Sequence, residues 1–358
     1  MKQSEITSVD ALVNALEIQR KSRKDIIADT THMSFSHLDG ISKLSVKSEG
    51  FSEEYTLTNV AKHQLAQRLQ IPWYYYTRME EMVPDLLVAN VNRWLKHNRE
   101  PRLLRTMDGR IRAFLSHQYR RIENLEVLEH VLEAANSRDD MEPMSMAVTE
   151  NYMYVKFVCK SFEAEVNVGD LVNCGFSVVN SEIGLSSLQV HSLIFRLVCS
   201  NGLVVAEHGN GYRQVHRGLI RTLRAHPYEL AEGISQKDKE TFATIGPLVK
   251  KALDQNIFTN CVDALITAKN VPFKNKSDEL IQTIGEQYRL TMNERDLVLK
   301  HYLIARDYSV FGLVQATTRA SQDLDDYGRA SDLETIGGSI LRDYVHPSKY
   351  MPAYQLVA

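Results

Sequence analysis

Arginine carries a planar, permanently charged guanidinium whose forked donors fit phosphate oxygens, so clustered arginines suit the binding of polyanions. The stretch PRLLRTMDGRIRAFLSHQYRRI (101–122) contains Arg102, Arg105, Arg110, Arg112, Arg120 and Arg121. From Arg93 to Arg121 nine Lys/Arg stand against two acids, Glu100 and Asp108, in a chain whose net charge is −3. A local positive field of this kind attracts a nucleic-acid backbone and releases its counterions. The bland alternative is a surface paired with the acidic C-terminal part of the chain or with another subunit.

The element that must position these residues is a β-hairpin. Asp108-Gly109 lies between two strand-like runs, and a two-residue type I′ turn needs positive φ at both central positions. That turn pairs Met107 with Arg110, Thr106 with Ile111, Arg105 with Arg112, Leu104 with Ala113 and Leu103 with Phe114. Alternation then puts Thr106, Ile111, Leu104, Ala113 and Leu115 on an apolar face. Arg105, Arg110, Arg112, Met107, Leu103 and Phe114 fall on the outward face. Arg105 directly opposite Arg112 is a like-charge pair costing about 0.2–1 kcal/mol, which a bound anion would relieve.

A second candidate surface follows. Tyr152–Lys160 alternates, with Met153, Val155, Phe157 and Cys159 inward and Tyr152, Tyr154, Lys156 and Lys160 outward. Tyrosine and lysine on one strand face combine base stacking with phosphate neutralisation. Pairing of Lys156 or Lys160 with Glu163 or Glu165 on the next strand explains the same residues without a ligand. Phe114, Tyr152 and Tyr154 are the candidate stacking residues. Arg102, Arg105, Arg110, Arg112, Arg120, Arg121, Lys156, Arg213 and Arg217 are the candidate phosphate contacts. The cluster IPWYYYTRM (71–79) could stack on bases, but more commonly such a cluster packs a helix junction.

Composition excludes several classes. Of 358 residues 44% are hydrophobic and 24% charged, ordinary for a globular protein and sufficient for a sizeable core. Cys159, Cys174, Cys199 and Cys261 lack the close spacing of a disulfide framework or a zinc site and read as buried thiols in a reducing compartment. With no apolar h-region at the N-terminus and no long apolar run, neither a signal peptide nor a membrane span is expected, and the bacterial cytoplasm is the expected location. GNGYRQVHRG lacks the GK[ST] ending of a phosphate loop. No nucleophile elbow or HExxH helix occurs, and no catalytic residue, metal or cofactor is expected. A metal-dependent nuclease remains a third reading, with Glu163, Glu165, Asp170 and Glu182 as carboxylates and His208 and His216 as distant candidates. The acidic C-terminal run of Asp323, Asp325, Asp326, Asp332, Glu334 and Asp343 could hold Mg²⁺ but reads better as a solvated helix junction.

The chain divides into a mainly helical region (1–100), a core with an antiparallel sheet (101–220) and a helical C-terminal region (221–358). The fold class is α+β: an antiparallel sheet with a hairpin and a packed helix, then helices. Thr58 is an expected N-cap, and Thr291 with Glu294 and Ser331 with Glu334 read as capping boxes.

Four stretches carry a resemblance: LTNVAKHQLAQRLQIPWYYYTRM (57–79), RTMDGRIRAFLSHQYRRIEN (105–124), GFSVVNSEIGLSSLQVHSLIFRLVCSNG (175–202) and LVQATTRASQDLDDYGRASDLETIGGSIL (313–341). They resemble a phage- and plasmid-borne protein family of unknown function that includes the prophage proteins YfjQ and YafZ. The resemblance implies a mobile-element origin inside a bacterial cell and transfers no activity. The β-β-α-β-β-β-β order is also similar, at the level of pattern, to phage single-strand annealing proteins of the RecT, Redβ and Erf type. That likeness implies a basic groove in a ring or filament of copies, binding single-stranded DNA by its phosphate backbone. A host single-strand-binding protein is a further candidate partner. The expectation is therefore a non-catalytic single-stranded-DNA-binding recombination or annealing mediator. The alternative is a protein-interaction module of a mobile element, such as a host-factor or defence antagonist or an assembly subunit.

Overall fold

The computed structural model describes residues 5–48, 51–196, 201–205, 212–214, 228–230, 241–273 and 276–345. The fold is α+β, with two largely antiparallel sheets and a helical C-terminal part.

The first sheet runs β14 (Tyr228–Leu230), β2 (Arg23–Asp29), β6 (Pro101–Met107), β7 (Arg110–Ser116), β5 (Phe51–Leu57), β4 (Ile41–Ser48), β3 (Met33–Leu38). Three helices cover one face: α2 (Asn59–Arg68), α3 (Trp73–Met82) and α4 (Pro84–His97). Thr58 caps α2 as its type predicts, accepting from the Ala61 amide at 3.2 Å. Pro84 opens α4, where a missing N–H costs nothing, and Leu87, Val91 and Leu95 at four-residue spacing form its buried stripe. Residues 1–100 therefore alternate strands with helices where a mainly helical region was expected; the polar, short-period runs from Arg23 to Leu57 form four strands.

The second sheet runs β1 (Glu5–Ile6), β8 (Met141–Val148), β9 (Met153–Asn167), β10 (Asp170–Asn180), β11 (Leu188–Arg196), β12 (Asn201–Val205), with β13 (Tyr212–Gln214) also pairing β11. Met153, Val155, Phe157 and Cys159 of β9 do point into a core. They pack with Phe176 and Val178 of β10, with α1 (Val9–Ser22) and with α5 (Asn124–Asn136).

The C-terminal helices are α6 (Ile245–Ala252), α7 (Gln255–Ala268), α8 (Ser277–Gln287), α9 (Met292–Ala305), α10 (Val310–Ala320) and α11 (Tyr327–Val345). The Thr291–Glu294 capping box is present. The Ser331–Glu334 box is not. Both residues lie inside α11, and Glu334 is spent on Lys156 instead. Gly337 and Gly338 let α11 approach β12 closely: a Cβ on Gly338 would lie 2.1 Å from the Val204 carbonyl oxygen.

Candidate functional site

Asp108 and Gly109 have φ of +50° and +73°, as the expected hairpin turn requires. Met107–Arg110 and Thr106–Ile111 pair as expected. A bulge then intervenes, so Arg105 faces Ala113, Leu104 faces Phe114 and Leu103 faces Leu115. One extra residue on β7 breaks the strict alternation on which the outward face was built. The consequence is a correction for Arg105, Arg112 and Phe114. Phe114 is fully buried with Leu104 and Ile111 against α2–α4, where no base can reach it. Arg105 and Arg112 point the other way, toward the 181–184 turn of the second sheet, and are buried there.

The two guanidiniums enter a network of charges from both sheets. Arg105, 1% exposed, bonds Asp25 at 3.0 Å, Glu123 at 2.7 and 2.8 Å and the Glu182 carbonyl at 2.8 Å. Arg112 reaches the Glu182 carboxylate at 3.3 Å and the Glu150 carbonyl at 2.8 Å. Arg23 bonds Glu123 at 2.5 Å and Glu182 at 3.4 Å. Burial alone would lower the Arg105 pKa, but Glu123, Asp25 and Glu182 outweigh it and hold the charge firmly in place. Burial would likewise raise Glu182; Arg105, Arg23 and Arg112 hold it below the usual range. Burial pushes Glu123 upward, against Arg105 and with the charge of Glu182. The carboxylates have taken the place of the anion expected between the arginines.

The remaining candidate cations are dispersed. Arg102 is buried beside Glu100, and its pKa is lowered by burial. Arg120 donates to the Thr241 hydroxyl at 2.6 Å, and Arg121 lies 3.8 Å from Asp25. Arg110 is half exposed, 3.2 Å from Glu150 on the turn that joins β8 to β9. Arg213 lies on β13, paired with Gln189; Arg217 lies outside the described residues.

Lys156 does not face solvent, a further correction. It shares a sheet face with Tyr154, as alternation demands, but α11 covers that face. Its ammonium is buried against Glu334 and over the Tyr327 ring at 5.3 Å, and the Tyr327 hydroxyl bonds Ser145 at 2.5 Å. Burial would lower the Lys156 pKa; the Glu334 charge reverses this. Lys160 pairs with Glu142 and not with Glu163 or Glu165.

Beside the buried lysine the covered face opens. A cleft of about 560 Å³ lies between this face and the first turns of α11. Tyr152 and Tyr154 flank it with ring centroids 5.7 Å apart at 42°; Tyr152 is half-buried, but Tyr154, expected to stack on a base, is 6% exposed and packed against Ala147 and the Tyr327 ring, a further correction. Ser177, Gln189 and His191 of β10 and β11 join them, and Asp332 of α11 lies opposite. Thr149 and Asn151 enter from the Glu150 turn, whose glutamate the half-exposed Arg110 pairs with. Burial raises the Tyr152 and Tyr154 pKa values, so both phenols stay protonated at neutral pH. The Gln189 amide nitrogen donates to Ser186 at 2.7 Å, so its oxygen is the acceptor for His191 Nε2 at 2.9 Å. The sequence signal for this cleft was the Tyr–x–Tyr–x–Lys alternation on β9; Gln189 and His191 reach it through β-strand pairing two strands away, and Asp332 through contacts about 180 residues apart in the chain, and none of the three carried a local signal for it.

No group of His, Cys, Asp and Glu among the described residues is arranged to hold a metal ion. Asp170 pairs with Arg196 at 2.5 and 2.8 Å, and Asp323 pairs with Lys300 at 3.1 Å. Cys159, Cys174 and Cys261 are buried free thiols; Cys199, His208 and His216 lie outside the described residues. No described helix is long and apolar enough to cross a membrane.

Residues 113–340 match the model of a family described as "Domain of unknown function (DUF932)". The chain belongs to this family. The DUF932 span contains every residue of the cleft, whereas Arg102, Arg105, Arg110 and Arg112 precede it. No curated protein and no solved structure matches this DUF932 chain.

Proposed function

We propose that the protein is a non-catalytic single-stranded nucleic-acid-binding protein of a phage or plasmid, serving recombination or strand annealing in a bacterial host. The observation that carries the reading is the cleft lined by half-buried Tyr152, with Arg110 paired to Glu150 on the adjoining turn. Tyrosine faces stack on bases irrespective of sequence, and a nearby cation meets the phosphate that follows. The hairpin arginines Arg105 and Arg112 are buried and paired, and they form no phosphate track.

The test is a titration of a labelled single-stranded oligonucleotide across salt. Arg110→Ala is expected to reduce the log–log slope by about 0.7, the share of one neutralised phosphate. An unchanged slope removes Arg110 from the site, and no binding at low salt removes the reading. A mass measurement beside it reports whether copies assemble into the expected homo-oligomer.

A second reading, a protein-interaction module, is favoured by one observation. Tyr74, Met82, Val83, Leu86 and Trp94 of α3 and α4 are exposed, Tyr74 to 76%. Apolar side chains gathered on the surface commonly meet a protein partner. Loss of a host partner in pull-downs with Leu86→Glu, with oligonucleotide binding intact, would favour it.

A further inference from the structure

The cleft has a character that single-strand binding alone does not demand. It is built against phosphate. Asp332 lines it, and Asp326 stands at the start of α11 with its carboxylate bonded to the Arg329 amide at 2.8 Å. The two cations at the cleft are already committed. Arg329 holds Glu294 at 2.6 and 2.9 Å and Asp332 at 3.1 Å, and Lys156 is spent on Glu334 beneath the floor. An anion entering here would meet the carboxylates of Asp326 and Asp332, and the guanidinium that pairs with Asp332 is already held by Glu294.

The same walls suit a flat, neutral ring. Half-buried Tyr152 offers its π face, with Tyr154 packed behind it on Tyr327, and Gln189 and His191, two strands away on the same sheet face, present amide and imidazole edges. Because Gln189 presents its oxygen to His191, the histidine must carry its proton on Nε2. Burial lowers the His191 pKa and keeps the ring neutral at physiological pH. Nδ1 is then a bare acceptor, and it has no hydrogen-bond partner among the described residues. An acceptor fixed in this way takes an N–H, and nucleobases present N–H groups in the plane of the ring. The volume suits one ligand of that size.

We propose that the cleft is a pocket for one uncharged nucleobase, or the nucleoside that carries it, with phosphate left outside at the rim. The proposal rests on the nucleic-acid reading for where the base comes from. It adds that a single base leaves its stack and is read in the protein, His191 Nδ1 accepting from its edge while Tyr152 covers its face.

The experiment titrates the full chain by calorimetry with adenosine, cytidine, guanosine, uridine and thymidine in turn, then with inorganic phosphate and with glucose. At least one nucleoside is expected to bind saturably, and excess phosphate to leave its affinity unchanged. Stacking on an aromatic ring is worth about 1–3 kcal/mol, so Tyr152→Ala should weaken that nucleoside roughly 5- to 150-fold, while Tyr152→Phe keeps it. Should Tyr152→Ala fail to fold, Gln189→Leu is the second variant; it frees the His191 tautomer and should change which nucleoside binds best. Competition by phosphate, or glucose binding in place of every nucleoside, overturns the pocket. If no nucleoside binds but oligonucleotides do with a salt-dependent affinity, the pocket falls and the nucleic-acid reading stands. If neither binds, both fall.

Discussion

Arg105 shows why a side chain suited to one chemistry can be spent on another. A guanidinium that fits phosphate also fits carboxylate, and the chain supplies Asp25 and Glu123 itself. Removing one member of a buried ionic network leaves its partners charged and unpaired, at a cost of about 3–5 kcal/mol. Arg105→Met should lower the denaturant midpoint by that order, because Glu123 and Asp25 lose their main counter-charge. A change below about 1 kcal/mol, the range of an exposed pair, would show that the guanidinium is not buried in solution. Nothing in the local sequence could have assigned these partners. Asp25, Glu123 and Glu182 are 80, 18 and 77 residues away, and charge counting along a window does not see them.

At the scale of elements, legibility tracks how local the determinant is. The Asp108-Gly109 turn, the Thr58 cap, the Thr291–Glu294 box and the helical character of the C-terminal region rest on neighbours within a few residues and could be read directly. The bulge at Arg105 rests on packing against two other layers, and one extra residue was enough to carry Phe114 to the face opposite Arg105. Glu334 misled for the same reason: a glutamate three residues after a serine looks like a cap until a buried lysine claims it. Of the candidate site, Tyr152 was legible; the burial of Tyr154 under Tyr327 of α11 and the wall facing it were not. Gly338 offers a test at this scale. Alanine would favour the helix by about 1 kcal/mol, but its Cβ meets the Val204 carbonyl, and overpacking of that kind costs about 1–3 kcal/mol. Gly338→Ala should therefore lower Tm; a rise would mean that α11 stands further from β12.

For the whole molecule, the charge network bridges the two sheets: Asp25 and the arginines come from the first, Glu123 and Glu182 from segments that belong with the second. Gln64 of α2 adds a neutral tie, bonding the Phe114 amide and the Ile183 carbonyl, both at 2.8 Å. The halves should therefore unfold together. Both tryptophans, Trp73 and Trp94, report on the helices over the first sheet, whereas far-ultraviolet ellipticity is dominated by helices elsewhere. The two signals should share one denaturant midpoint. Separate midpoints would show the sheets to be independent.

The strand order carries a consequence for biosynthesis. β1, the earliest strand, sits on the edge of the second sheet, and β14, made after that sheet is finished, returns to the edge of the first. While a ribosome has released the chain only as far as the hairpin of β6 and β7, β1 has no neighbour and the arginines of β6 lack Glu123 and Glu182. The nascent chain must wait, with charges hydrated and an open sheet margin, until its later portion emerges. A chaperone that shields unpaired strand margins should speed maturation more than it would for a protein whose sheets close in sequence order.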